Sequence, residues 1–190
     1  VESAQVRMHP TGSVQVYVRN GTTWTHQAEL LHHEAPTFFG TNTFFGSSVA
    51  VHGDVALVGA PRDSMTGASP TAGFTPDGSV QVYVRAGGVW TYQTELFDPA
   101  VLTDPGSARN DEFGASVAFD GTTAVVGQVR DGTLGTSAGA AHLFAADTWT
   151  HLAMLTAPDG TANDAFGASV AVSGDRVIVE IPGLKPEHRD

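Results

Sequence analysis

Three groups of side chains in this 190-residue chain are of types that can do chemistry. His32, His33 and Glu34 stand in a row and offer two imidazoles and a carboxylate, the donor types of a transition-metal site. Neighbouring residues in an extended chain point to opposite sides, so only one of the two imidazoles faces a given site. No HExxH spacing supplies a second ligand, and the expectation for this stretch is a solvated loop. Arg62-Asp63 and Arg130-Asp131 are the second group, two Arg-Asp pairs that follow similar Val-rich runs. Such pairs can recognise a ligand or simply neutralise each other in a loop. Asp54, Asp120 and Asp175 form the third group, each beside a glycine in "HGD", "DGT" and "SGD". Those turns are too short to wrap a calcium ion with six or more oxygens, so they read as turn formers. No metal site and no cofactor is expected anywhere in the chain.

Other chemistries are excluded or unsupported. With no cysteine there is no disulfide, no thiolate metal site and no Cys nucleophile. No G-x-S-x-G elbow occurs, and the Gly-rich "DGTLGTSAGA" lacks the lysine of a phosphate-binding loop, so it reads as a flexible loop. A formal charge of -11, with Lys185 the one lysine, argues against a nucleic-acid partner, because phosphate binding needs clustered cations. No apolar run approaches the roughly 18 residues of a membrane span, so membrane insertion is not expected. No signal peptide precedes Val1, although a leader could have been removed. Apolar residues make up 41%, enough for a packed core rather than a disordered chain.

The elements that position these groups are repeated. "GSVQVYVR" at Gly12 returns unchanged at Gly78 and weakly as "GAAHLF" at Gly139. "TWTHQAEL", "VWTYQTEL" and "TWTHLAML" carry Trp24, Trp90 and Trp149; "FGSSVAV", "FGASVAF" and "FGASVAV" open at Phe45, Phe113 and Phe166. Each unit therefore holds four short Val-rich strands, typified by "SSVAV", "VALVGA", "SVQVYVR" and "WTYQTEL", separated by glycine turns. No segment keeps a helical period with caps, so helix should be scarce. With Asn20-Gly21 as a two-residue turn, Tyr17 is expected opposite Trp24; the same count pairs Tyr83 with Trp90 and Phe144 with Trp149. His26 and His151 fall at matching positions, with Tyr92 between them in the middle copy, and read as surface or inter-blade packing. Asn42, Asn110 and Asn163 each precede an FG phenylalanine by three residues and read as turn residues, with the phenylalanine filling the gap between blades. The first strand of each unit is small (Ser47, Ser48, Ala50; Ala115, Ser116, Ala118), as crowding around an axis demands. An all-β fold follows, a β-propeller of four-stranded antiparallel blades ahead of a β-sandwich.

At the level of motif, the FG openings, the "LVGAP" ending and the "GSVQVYVR" continuation resemble FG-GAP repeats, the units of integrin α-subunit propeller heads and many bacterial surface proteins. The resemblance runs from about Gly12 to Gly183 and implies one propeller domain and an extracellular binding or adhesion role. The second and third copies read "VVGQV" and "VEIPG" where the family has GAP. Family members often bind calcium through an Asp-rich loop between the first two strands, and this chain has only the short turns there.

Strand directions put the long connections 31–44, 61–78, 97–112 and 128–138 on one face, where binding residues usually sit. Arg62, Asp63, Arg130 and Asp131 start two of them, and Phe38, Phe39 and Phe74 lie on nearby loops. The function expected is non-enzymatic recognition of a protein or glycan through that face. Two alternatives stand beside it: a self-assembling structural propeller, and a hydrolase or lyase with its site in the central funnel. The strands divide into a half blade 12–30, blades 45–96 and 113–155, and a half blade 166–183. Two copies exchanging halves would close a six-bladed homodimeric ring, and a piece of a longer propeller is the competing expectation.

Overall fold

The structure, a computed structural model, describes residues 12–33, 43–63, 77–100 and 110–182. Phe38, Phe39, Phe74, Glu34 and Asn42 lie outside them. Twelve strands follow in chain order: β1 (Ser13–Asn20), β2 (Thr23–Leu31), β3 (Ser48–His52), β4 (Val55–Ala60), β5 (Ser79–Ala86), β6 (Val89–Leu96), β7 (Phe113–Phe119), β8 (Thr123–Gln128), β9 (Ala140–Ala145), β10 (His151–Leu155), β11 (Val170–Ser173) and β12 (Arg176–Val179). They build two four-stranded antiparallel meanders, β3-β4-β5-β6 and β7-β8-β9-β10, flanked by the two-stranded sheets β1-β2 and β11-β12. The fold is all-β, and the sheets are propeller blades set side by side, with β3 packed beside β7 and β7 beside β11.

The hairpin register differs from the one expected. Tyr17 pairs with His26, Tyr83 with Tyr92 and Phe144 with His151, while Arg19 and Arg85 stand opposite Trp24 and Trp90. The reason is the turn. Asn20 pairs with Thr23, so Gly21-Thr22 is the connection and Gly21 takes φ +61° at its first central position. Glycine there supplies the positive φ that twisted hairpins need. A bulge in each hairpin then displaces the partners by one residue, beside Gln27, Gln93 and Leu152. Arg85 uses the new register to lay its guanidinium 5.7 Å from the Trp90 ring.

The repeated phrase turns out to be a backbone clasp between successive blades. Gly78, which opens β5, has φ +91°, and a Cβ on it would run into the carbonyl of Phe113 in the next blade. Gly114 answers it with φ +89° and no room for a Cβ against the carbonyl of Ser79. The pairs Gly12 with Gly46 and Gly139 with Gly167 repeat this arrangement. Serine hydroxyls tie it down: Ser48 Oγ donates to Gly114 O at 2.8 Å, and Ser116 Oγ to Gly167 O at 2.7 Å. That is why the first strand of each blade is small.

Each FG phenylalanine plugs the seam beside its glycine. Phe113 is fully buried between Leu57, Val80, Val82 and Leu96 of one blade and Ala124, Val126 and Phe144 of its own. Phe45 does the same between β1-β2 and β3-β6, and Phe166 between β7-β10 and β11-β12. Asn110 and Asn163 sit just upstream with φ +60° and +68°, a region asparagine tolerates better than most residues.

Gly114→Ala should therefore lower stability by about 2 kcal/mol or more, because it adds backbone strain to a clash with a fixed carbonyl. Gly88→Ala has a similar φ, +84°, but nothing within 4 Å of the new Cβ, and should cost about 1 kcal/mol. Chemical denaturation midpoints of the two variants check the ordering. Equal losses would mean that the clasp contributes nothing beyond its φ angles.

Candidate functional site

The two Arg-Asp pairs occupy equivalent positions and divide their labour. Asp63 N donates to Ala60 O and its carbonyl accepts from Gly78 N; Asp131 N donates to Gln128 O and its carbonyl accepts from Gly139 N. This shared loop path turns both aspartates inward, and both are buried. Asp131 Oδ1 is used up locally, accepting from Thr133 N at 2.9 Å. Asp63 and Asp131 are thus buried beneath the loop face, while the arginines beside them stay at the surface. Arg62 and Arg130 converge from two blades on one carboxylate, Glu112, with Arg130 Nε 3.3 Å and Arg62 Nη2 4.0 Å from Glu112 Oε1. Both arginine side chains remain 48% exposed while Glu112 is 18% exposed, so the guanidiniums form the outer surface. Arg62 also lies over the ring of Phe44, 4.6 Å from its centroid.

The Gly-rich segment from Asp131 to Ala140 is not the flexible loop expected. It is a chain of turns, Gly135 N to Gly132 O and Ala138 N to Gly135 O, pinned to the next connection by Asn163 N to Thr136 O and Ala165 N to Ser137 O. The short turns between first and second strands behave as turn formers. Asp54 pairs with Arg85 at 2.5 Å, and Asp120 accepts from Thr122 N, Thr123 N and, across to β11-β12, Gly174 N. Those amide donors hold the Asp120 carboxyl well below its usual range.

Beneath the arginine corner, the seam between β1-β2 and β3-β6 contains a polar cluster. Beyond the end of β2, His32 turns in and His33 turns out, as alternation requires. His33 stacks on Tyr92 with centroids 3.7 Å apart. His32 Nε2 lies 2.9 Å from Asp63 Oδ2, which also accepts from Ser79 Oγ at 2.8 Å. Gln81, fully enclosed on β5, donates from Nε2 to Glu95 Oε1 at 3.1 Å and sits 3.1 Å from His32 Nε2. Its Oε1 accepts from His33 N at 3.0 Å. The Tyr83 hydroxyl is 2.6 Å from Leu31 O and 2.7 Å from Gln81 Oε1, with one proton for the two acceptors. Burial pushes Glu95 up to about 7, helped by the charge of Asp63 beside it. Burial also works against ionised Asp63, but the hydrogen bond and charge of His32, with bonds from Glu95 and Ser79, leave it lowered. The pair therefore holds its proton on Glu95. Burial, then Glu95 and Tyr92, push the Tyr83 phenol up, so it stays neutral.

The next seam answers the same need differently. Asp98 follows β6 as His32 follows β2, and its Oδ2 accepts from Gln128 Nε2 at 2.9 Å. His142 Nε2 meets Gln128 Oε1 at 2.7 Å, and its Nδ1 lies 3.2 Å from His151 Nε2. Burial lowers the His142 pKa and neighbouring His151 lowers it further; Asp98 and Asp131 oppose this without reversing it. His142 is thus neutral in the fold while its unfolded counterpart takes up a proton below about pH 6.5. A depressed pKa stabilises above the unfolded value and loses that contribution as pH falls. His142→Gln, which installs the residue Gln81 places at the same point of β5, should therefore flatten the loss of stability between pH 7 and 5. Denaturation midpoints of both proteins across that range check it. Parallel curves would show that His142 titrates normally in the fold.

Comparison with known proteins bears on the repeats. A family model described as FG-GAP repeat matches residues 24–83, 97–144 and 149–180. Curated proteins give no match. Each matched stretch holds one FG pair with the two strands that follow it, so the match falls on the glycine clasp and the plugging phenylalanine. With these matches running over most of its length, the chain belongs to the FG-GAP repeat family.

Proposed function

We propose that this chain is an extracellular, non-enzymatic recognition module that takes an acidic protein or glycan group on its long-loop face. The supporting observation is the arginine corner: Arg62 and Arg130 come from different blades, share Glu112 and keep half of each side chain in solvent. A planar guanidinium pair suits bidentate carboxylate or sulfate recognition, and Phe44 beside it adds an apolar contact. Propeller repeats of this family are a binding scaffold, and the site rather than the fold names the ligand. A funnel enzyme has less support: the inner strand β3 exposes Val49 and Val51, which offer no acid, base or nucleophile.

The Arg62→Ala/Arg130→Ala double variant should abolish capture of acidic ligands on a glycan and protein array. Its stability should stay within about 1 kcal/mol of the parent, as for exposed sites. Glu112→Gln should strengthen the same interactions by removing the competing carboxylate. Capture unchanged in both would move the site off this corner.

A self-assembling role is the second reading, favoured by the outer blades. Trp90 is covered by β2, with Nε1 donating to Gln27 at 3.0 Å. Its counterpart Trp24 is 63% exposed, and Leu152, which holds in β10 the bulge position of Gln27 in β2, is 57% exposed. Strands β1-β2 are the last two of a blade and β11-β12 the first two, and among the described residues β1 and β12 have an open edge. A second copy would supply Trp24 to Leu152 and close both blades. Light scattering of the chain should then report about twice 19.7 kDa, and less in Trp24→Ser. A monomer at all concentrations would refute blade exchange.

A further inference from the structure

The polar cluster in the first seam draws its carboxylates and an imidazole to one point. The second seam is the comparison. There Gln128 bridges Asp98 and His142, the position of Glu95 is taken by Met154, and Asp131 spends its Oδ1 on the Thr133 amide. That seam closes on amide and imidazole hydrogen bonds, with its carboxylates Asp98 and Asp131 buried but not gathered on one point. The first seam instead gathers His32, Asp63 and Glu95, whose ligand atoms all lie within 4.8 Å of one another. His32 and Asp63 are buried and Glu95 is partly so. Arg62 adjoins Asp63 in sequence but turns to Glu112 and Phe44.

We propose that His32, Asp63 and Glu95 form a binding site for a zinc-class divalent cation that fastens the end of β2 to the β3-β6 blade. The donor set is one imidazole nitrogen and two carboxylate oxygens, which suits Zn²⁺ and disfavours Mg²⁺ and Ca²⁺ with their all-oxygen shells. Tetrahedral zinc with ligands at about 2.0–2.2 Å wants its donor atoms about 3.4 Å apart. The 2.9 Å His32–Asp63 separation has to open by about half an ångström, and Glu95 has to close in, within side-chain reach of both. The cation displaces the proton that His32 and Asp63 share and the proton held on Glu95, both released to solvent, and its two charges then match the two carboxylates. Gln81 is placed to orient a ligand, since its Nε2 already donates to Glu95 Oε1, and Ser79 Oγ does the same for Asp63 Oδ2. The fourth position falls to water. This site is separate from the short Asp turns between first and second strands, and it owes nothing to the arginine corner.

The experiment starts from protein stripped with chelator and dialysed into metal-free buffer. Zinc sulfate should bind one per chain by calorimetry and raise the melting temperature by about 5 °C at hundredfold excess over Kd. Cobalt chloride should give the visible absorption of a four-coordinate site, while calcium and magnesium chloride give no shift. Glu95→Gln keeps the shape and the amide neighbour but removes a ligand, and should weaken zinc binding by more than about tenfold. Glu29→Gln, at the equivalent place in exposed β2, should leave it unchanged. Zinc binding equal in the Glu95→Gln and parent proteins would assign it to surface histidines and overturn the site. Absence of zinc binding to the parent protein would overturn it equally, whatever the folding of the variants, and leave a hydrogen-bonded seam.

Discussion

Everything in this protein hangs on two glycines meeting across each blade seam. Gly78 and Gly114, with their counterparts Gly12–Gly46 and Gly139–Gly167, bring backbone carbonyls where side chains would normally stand. Twisted sheets gathered around an axis come closest at their inner strands, and there the smallest residues fit. The clasp sets the distance between blades, and the neighbouring features follow from it. The serine hydroxyls of Ser48 and Ser116 reach a glycine carbonyl because the chains are that close. The FG phenylalanine, one residue before the glycine, is delivered into the widening gap and seals it.

Farther from the clasp the seams open, and apolar packing gives way to buried polar groups. Such groups have to be hydrogen-bonded to be tolerated, and a satisfied network holds neighbouring sheets in a single register. The chain builds two networks on one plan: a residue just past the last strand of one blade reaches into the next and meets a buried glutamine. In the first seam it is His32 with Gln81; in the second it is Asp98 with Gln128 and His142. In the first the imidazole meets a carboxylate directly, and in the second Gln128 stands between them. What differs is Glu95, which draws close to His32 and Asp63 in the first network and is replaced by Met154 in the second.

The arginine corner lies over the same seams and depends on the same loop path. Paired backbone hydrogen bonds, Arg62 N to Thr43 O and Arg130 N to Asp111 O, fix both arginines relative to the segment that leads into an FG pair. Side chains launched from rigid backbone on adjacent blades can converge on Glu112 without ordering a long loop.

Repetition made the architecture legible in the sequence. Period, strand lengths, small inner strands and the burial of Phe45, Phe113 and Phe166 all follow from local patterns that three copies confirm. The matching of His26, Tyr92 and His151 could also be read by alignment of the copies, and the structure places each opposite an aromatic at Tyr17, Tyr83 or Phe144. Hairpin register could not, because one bulge and the choice of glycine at the first turn position shift every partner without changing the pattern. The sites were half visible. Alternation showed that His32 and His33 must face opposite ways, but nothing in the sequence around them announces Asp63 or Glu95, which arrive from a loop and a strand of another blade. The Arg-Asp pairs were recognisable as equivalent, yet which member faces solvent was decided by backbone hydrogen bonds that turn both aspartates inward. Local pattern determined the blades. Contacts between residues far apart in the chain, set by how closely the clasp lets blades approach, determined the chemistry at their seams.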